Sequence, residues 1–123
     1  MNIPNGHQSV MPYLMLNGAA SFINFVQQVF DAKLTMERKR NDHQIRHAEV
    51  QINTSTIMFC DATEEWKAQN ANLFVYVPNA DETYEKAINA GAETIMPLSD
   101  QDYGRTCGIT DPTGNVWWIT SIH

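Results

Sequence analysis

Pro12-Tyr13-Leu14-Met15-Leu16-Asn17 and Asn72-Leu73-Phe74-Val75-Tyr76-Val77 decide the fold: both read as strands, and they start 60 residues apart. A helix follows each. The first, about Ala19 to Phe30, places Ala19, Phe22, Val26, Val29 and Phe30 on one face. The second, about Asp81 to Ala90, does the same with Tyr84, Ala87 and Ile88. Both follow the spacing of an amphipathic helix. Asn79 or Asp81 suits the N-cap of the second helix. Gly91 takes its left-handed C-terminal position, and Asp31 the matching place in the first. Asp accepts that conformation less readily than Gly, so slight strain is expected at Asp31.

Beyond each helix the apolar period falls to two. Leu34 to Arg38 and Glu93 to Leu98 are short strands, His47 to Ile52 and Arg105 to Thr110 the next pair, and Ile57 to Cys60 and Trp117 to Thr120 the last. Asn53-Thr54-Ser55 and Asp111-Pro112-Thr113-Gly114-Asn115 are turns, with Gly114 serving turn geometry. Thr63 to Asn70 links the halves, and its Trp66 is a candidate lid or dimer contact. The reading is a single α+β domain over 1–123, with repeat halves at about 11–62 and 71–122. Each half is a βαβββ unit. The two are expected to form a curved mixed sheet around a cavity, with the helices outside.

Composition excludes several classes. A net charge of −6 with no long Lys/Arg run argues against nucleic acid; the densest basic stretch is Arg38-Lys39-Arg40. No apolar run approaches the ~18 to 20 residues of a membrane span. Met1 to Ser9 is polar and uncharged, unlike a signal peptide. Two Cys suggest no disulfide framework, so a reduced, cytoplasmic setting is expected. The acidic balance mildly favours cationic ligands.

The stretches MPYLMLNGAASFINFVQQVFDA, HAEVQINTSTIMFCDA, DETYEKAINAGAETIMPLSDQDYG and GITDPTGNVWWIT cover nearly all of the chain from Met11 onward. In this order and spacing they resemble the vicinal oxygen chelate superfamily of glyoxalase I, extradiol dioxygenases and bleomycin-resistance proteins, most of all its PhnB-like branch. The resemblance implies a homodimer. It also implies four metal-ligand positions, on the first and last strand of each half, which fall at Pro12, Met58, Asn72 and Trp118. None of the four suits a catalytic divalent ion. Pro has no donor, Trp has only an N–H, Met is soft, and Asn offers one weak oxygen. The usual metal site is therefore expected to be missing, with no cofactor. The methionines read as gap fillers in the core.

Other residues are candidates for a ligand site. His47 and Glu49 share a strand face opposite Ala48, Val50 and Ile52, ~7 Å apart along the strand. They read as an acid/base pair or polar clamp, or as a polar pair that orders the strand. His43, in a turn region, makes only a weak two-His set with His47. Arg105 follows Asp102-Tyr103-Gly104, a loop expected at the cavity mouth, and suits a carboxylate or phosphate. The alternative is a salt bridge to Asp102 or Asp100. Cys107 is a candidate nucleophile or a small buried thiol; Cys60 reads as core. Trp118 is an aromatic wall, or a plug where a metal would sit. The ligand-binding set is thus His47, Glu49, Arg105, Trp118, Cys107 and Tyr103. The expected function is small-molecule binding without the divalent metal. The alternative is a glyoxalase-like lyase or isomerase acting through His47, Glu49 and Arg105.

Overall fold

A computed structural model describes all residues, 1–123. The order is β1 (Tyr13–Leu16), α1 (Ala19–Phe30), β2 (Lys33–Lys39), β3 (Ile45–Ile52), β4 (Ser55–Asp61), then β5 (Asn72–Tyr76), α2 (Ala80–Asn89), β6 (Glu93–Gln101), β7 (Gly104–Thr110) and β8 (Val116–Ser121). Two four-stranded mixed sheets result, β1-β4-β3-β2 and β5-β8-β7-β6. In each, the first strand runs parallel to the last and the other pairs are antiparallel. The two βαβββ units of an α+β fold are therefore present as read. No helix is long and apolar enough to cross a membrane.

The helix ends show how local chemistry fixes each unit. Gly18, at φ 101°, has no side chain to cap α1. Asp61, at the end of β4, substitutes: its Oδ1 accepts from the Ala19 N–H at 2.9 Å and its Oδ2 from the Ile45 N–H at 2.6 Å. One carboxylate thus ties helix, third strand and fourth strand together. In the second half Asn79 caps the Glu82 N–H, and Ser121 accepts from the Ala80 N–H at 3.1 Å. Asp31 ends α1 in the left-handed region at φ 54°, and Gly91 does so after α2 at φ 100°.

One core of 23 buried residues joins the halves. Seven of the twelve α1 residues are buried, too many for a helix with only one covered face. Phe22 packs edge-on against Phe59 of its own sheet, with centroids 4.9 Å apart, and lies 6.4 Å from Trp117 of the other; Phe30 meets Trp117 at 4.6 Å. Within one chain, then, α1 lies between the two sheets. The sheet faces opposite the helices point outward and stay open. At the junction of the halves lies a cleft of about 470 Å³ bordered by Asp31 and Lys33 of the first and Pro78 and Lys86 of the second.

The repeat offset is not uniform. Met58 on β4 and Trp118 on β8 are equivalent, 60 apart, but the residue opposite Met58 on β1 is Tyr13 and that opposite Trp118 on β5 is Phe74, 61 apart. On the third strands Glu49 pairs with Met58 and Gly108 with Trp118, 59 apart. Turn length explains the second slip. Asn53 and Thr54 lie between the paired Ile52 and Ser55, whereas three residues lie between Asp111 and Asn115, whose N–H and C=O bond at 2.8 Å. A slip of one residue moves every side chain of a strand to the other face, and this decides where several candidates sit.

Candidate functional site

Alternation along β3 sends Ala48, Val50 and Ile52 into the core and His47, Glu49 and Gln51 to the open face. Glu49 is nevertheless only 4% exposed. Its two oxygens hold two imidazoles: Oε2 meets His47 Nε2 at 2.8 Å and Oε1 meets His7 Nε2 at 2.6 Å. Burial raises the Glu49 pKa, but the hydrogen bonds and charges of His47 and His7 outweigh it and hold the carboxyl below its ordinary value. An ionised carboxylate only accepts, so both Nε2 atoms carry hydrogen. In a neutral His47 ring, Nδ1 then accepts from the Tyr13 hydroxyl at 3.0 Å. Burial, together with the Cys60 and Glu49 charges, raises the Tyr13 pKa against the lowering effect of Arg40, so the phenol keeps its proton. The result is one hydrogen-bonded row, Tyr13–His47–Glu49–His7. A carboxylate holds a histidine in one tautomer, and that histidine faces a hydroxyl.

His7 reaches Glu49 because the N-terminal arm is strapped across the open face. Gln8 exchanges two bonds with the backbone of Thr56, its Nε2 donating to Thr56 O at 3.0 Å and its Oε1 accepting from Thr56 N at 3.3 Å. The Thr56 hydroxyl donates to the Gly6 carbonyl. Beyond the arm, the same face carries a cavity of about 910 Å³ lined by Tyr13, Met15, Cys60, Trp66 and three basic side chains. Cys60, expected in the core, faces this cavity by strand parity with Met58; burial, helped by Asp61 and opposed by Arg40, raises its thiol pKa. Thr63 and Trp66 close a turn through two bonds, Thr63 N–H to Trp66 O at 2.8 Å and Trp66 N–H to Thr63 Oγ1 at 2.9 Å. That turn sets the indole at the rim, 57% exposed.

Of the remaining candidates, Trp118 lies on the open face of the second sheet, away from the core. Its Nε1–H donates to Asn72 Oδ1 at 3.3 Å, and its ring lies over Gly108, where an added Cβ would come within 2.4 Å of Cζ3. Phe74 joins this face, with Tyr76 at 5.2 Å and Tyr103 at 6.3 Å between centroids. Arg105 and Cys107 do not belong to it. The slip of the offset makes Arg105, Cys107 and Ile109 the helix-side set of β7, and Cys107 is fully buried. Burial and the Asp81 charge push its thiol up to about 11, which disfavours the thiolate that a nucleophile needs. Arg105 donates to Asp81 through Nε at 2.9 Å and through NH2 at 3.4 Å, and its NH1 lies 3.6 Å from Asp100. It is the salt-bridge alternative that holds, with Asp81 as the main partner. Within the chain the open-face candidates fall into two groups on different sheets, His47 with Glu49 and Trp118 with Tyr103, and Arg105 and Cys107 join neither.

The four positions that the resemblance implies as metal ligands offer poor donors. The register moves the first-strand positions to Tyr13 and Phe74; the Pro12 carbonyl is taken by Met58 N–H at 3.0 Å. Tyr13 is engaged with His47, Met58 offers a thioether, Trp118 an N–H, and Asn72 oxygen accepts that N–H. This set does not fit a hard divalent ion.

Sequence reasoning missed His7, Tyr13 and the basic side chains of the cavity. Strand parity with Met15 pointed to Tyr13, and the Arg38-Lys39-Arg40 stretch to the basic group. Nothing local marks His7.

Comparison with known proteins agrees with this architecture. The family model described as Glyoxalase/Bleomycin resistance protein/Dioxygenase superfamily matches residues 10–119. An uncharacterized protein of Mycobacterium bovis is 28% identical over 125 residues, covering 92% of this chain and 82% of the relative. Among solved structures, a putative 3-demethylubiquinone-9 3-methyltransferase, PhnB protein, from Bacillus cereus superposes with TM-score 0.71 at 18% identity, covering 93% of this chain and 99% of that one. TnmS3, an antibiotic binding protein from Streptomyces sp. CB03234, superposes with TM-score 0.73 at 13% identity, covering 95% and 100%.

Proposed function

The chain belongs to the Glyoxalase/Bleomycin resistance protein/Dioxygenase superfamily, and on that premise we propose that it binds a small molecule on the open face of its first half. The observation that carries this reading is the Glu49 carboxylate, buried on the ligand side of β3 with an imidazole on each oxygen. Polar groups so placed do not build the core, which lies on the other face of the strand. They end instead at Tyr13, on the wall of the 910 Å³ cavity. TnmS3, whose fold this chain shares, is an antibiotic binding protein.

The binding unit is a homodimer. Each open face is half of a cavity: the first carries the polar row, the second the aromatic group of Phe74, Tyr76 and Trp118. Pairing the first half of one copy with the second half of another would join the two open faces into one curved sheet with helices outside. It would also bring Trp118 to the ligand that Tyr13 faces. The setting is cytoplasmic, consistent with two free thiols, and no divalent metal is required.

A thermal-shift screen of small acids, bases and neutral aromatics tests the proposal, with sedimentation for the dimer and elemental analysis for the metal. Stabilisation by a compound, lost in Tyr13→Ala and in Trp118→Ala, supports the shared site. A monomer, a stoichiometric divalent ion, or a hit indifferent to both substitutions would overturn the corresponding part.

A lyase or isomerase is the second reading, favoured by the Tyr13–His47–Glu49 alignment. His47 Nδ1 would take a proton from the substrate and return it at another position, with Glu49 stabilising the imidazolium. Arg105 has no part in it.

A further inference from the structure

Arg46 and Arg105 hold equivalent positions in the two halves, 59 apart like the Glu49/Gly108 pair, yet they end in opposite environments. Regular pairing of Asp100 with Arg105 keeps Arg105 on the helix side, where Asp81 and Asp100 neutralise it. On β3 the register is broken. Arg38 pairs with His47 and the next residue, Lys39, with Ile45, so Arg46 is an extra residue, a β-bulge. A bulge re-aims the side chain at its site. Here it turns Arg46 to the open face beside His47, onto the cavity wall. Lys39 and Arg40 line the same wall.

Three of the chain's eight Lys and Arg residues thus converge on one cavity in a protein of net charge −6. None of the three is ion-paired, since every ion pair of the chain involves Glu49 or Arg105. Glu64 and Glu65 also border the cavity but lie beyond ion-pair distance of the three cations. Unpaired guanidinium groups around a recess bind carboxylate, sulfonate or phosphate oxygens, often in a forked geometry. The other lining groups include the partly exposed rings of Tyr13 and Trp66 and the side chain of Met15 on β1, a surface for a flat ring, with Cys60 and Thr63 beside them.

We propose that this cavity takes a planar aromatic anion, its charged group held by Arg46, Lys39 and Arg40 and its ring against Tyr13 and Trp66. The inference rests on the small-molecule reading above and names the ligand class for it. It also reverses what the overall acidity suggests, because the local charge of the recess differs from that of the molecule.

Three probes with one ring system and different charge test it: 2-naphthoate, 2-naphthamide and 2-naphthylmethylammonium, titrated against the full chain by calorimetry. Naphthoate is expected to bind about tenfold or more tighter than the other two, as a charge-assisted contact implies. The advantage should shrink in raised salt and in Arg46→Gln, and persist in Arg105→Gln. Should Arg46→Gln fail to fold, Lys39→Gln and the salt dependence carry the same expectation. If the amide binds as tightly as the acid, or if Arg105→Gln alone abolishes the preference, the anion assignment is overturned while the binding reading survives. If none of the three binds, both are overturned.

Discussion

Glu49 and His7 meet at 2.6 Å although 42 residues separate them, and the bond joins the N-terminal arm to the centre of β3. Folding lowers the Glu49 pKa, so as pH falls the unfolded chain takes up this proton first. The stability that Glu49 contributes is complete above the ordinary carboxyl value of 4.5 and is lost as pH drops through the lower folded value. Urea unfolding from neutral pH down to the acid limb should show a steeper decline in the parent than in Glu49→Gln. Parallel curves would mean that the carboxylate is not ionised in this network.

Removing the partner from the arm leaves one Glu49 oxygen buried and unpaired. His7→Ala should therefore cost about 1.5–3 kcal/mol, the range for a hydrogen bond to a charged group. Deleting the first nine residues should cost more, because the Gln8–Thr56 pair and the Thr56–Gly6 bond go with it. Equal stability of parent and truncated chains by urea unfolding would show that the arm is not bound in solution.

Gly108 exists for Trp118. A methyl group there would sit 2.4 Å from the indole, so Gly108→Ala should displace the ring, break its bond to Asn72, and cost about 1–3 kcal/mol. Trp118→Ala should relieve most of that, making the double variant more stable than the sum of the two single losses predicts. Near-UV circular dichroism and thermal melts check both; additive losses would contradict the packing.

Cys107 is fully buried with its thiol pushed up to about 11, and Cys60 is buried with a raised pKa. A thiol reagent at mildly alkaline pH should therefore find no fast-reacting cysteine in the folded chain and both in denaturant. Rapid labelling of Cys107 in the native state would place β7 in the other register.

That register is where sequence reading stopped short. The helices Ala19–Phe30 and Ala80–Asn89 and the order of strands were legible, because apolar spacing reports them locally. So were the faces of His47, Glu49 and Trp118. Cys107 and Arg105 were not, because one uniform offset of 60 conceals slips to 61 at Tyr13/Phe74 and 59 at Glu49/Gly108. The cause of the second slip, one more residue in the Asp111–Asn115 turn than in the Ile52–Ser55 turn, is visible in the sequence only once the pairing is known. The bulge at Arg46 has no local signature either, and His7 finds Glu49 through a long-range contact that no periodicity encodes. Asp111 belongs to the same class. It reads as a turn residue, yet it also accepts from Trp117 Nε1 at 2.8 Å and from Asn115 Nδ2 at 3.1 Å, anchoring the core indole.

The most direct test of the central claim is amide and methyl chemical-shift mapping of the isotope-labelled chain as 2-naphthoate is added. The account predicts the largest changes at Tyr13, Met15, Arg46, His47 and Cys60 and at the Trp66 indole, with Asp31, Lys33 and Lys86, which border the 470 Å³ cleft between the halves, left unmoved. Changes confined to that cleft, or no saturable change at all, would contradict a ligand site on the open face of the first half.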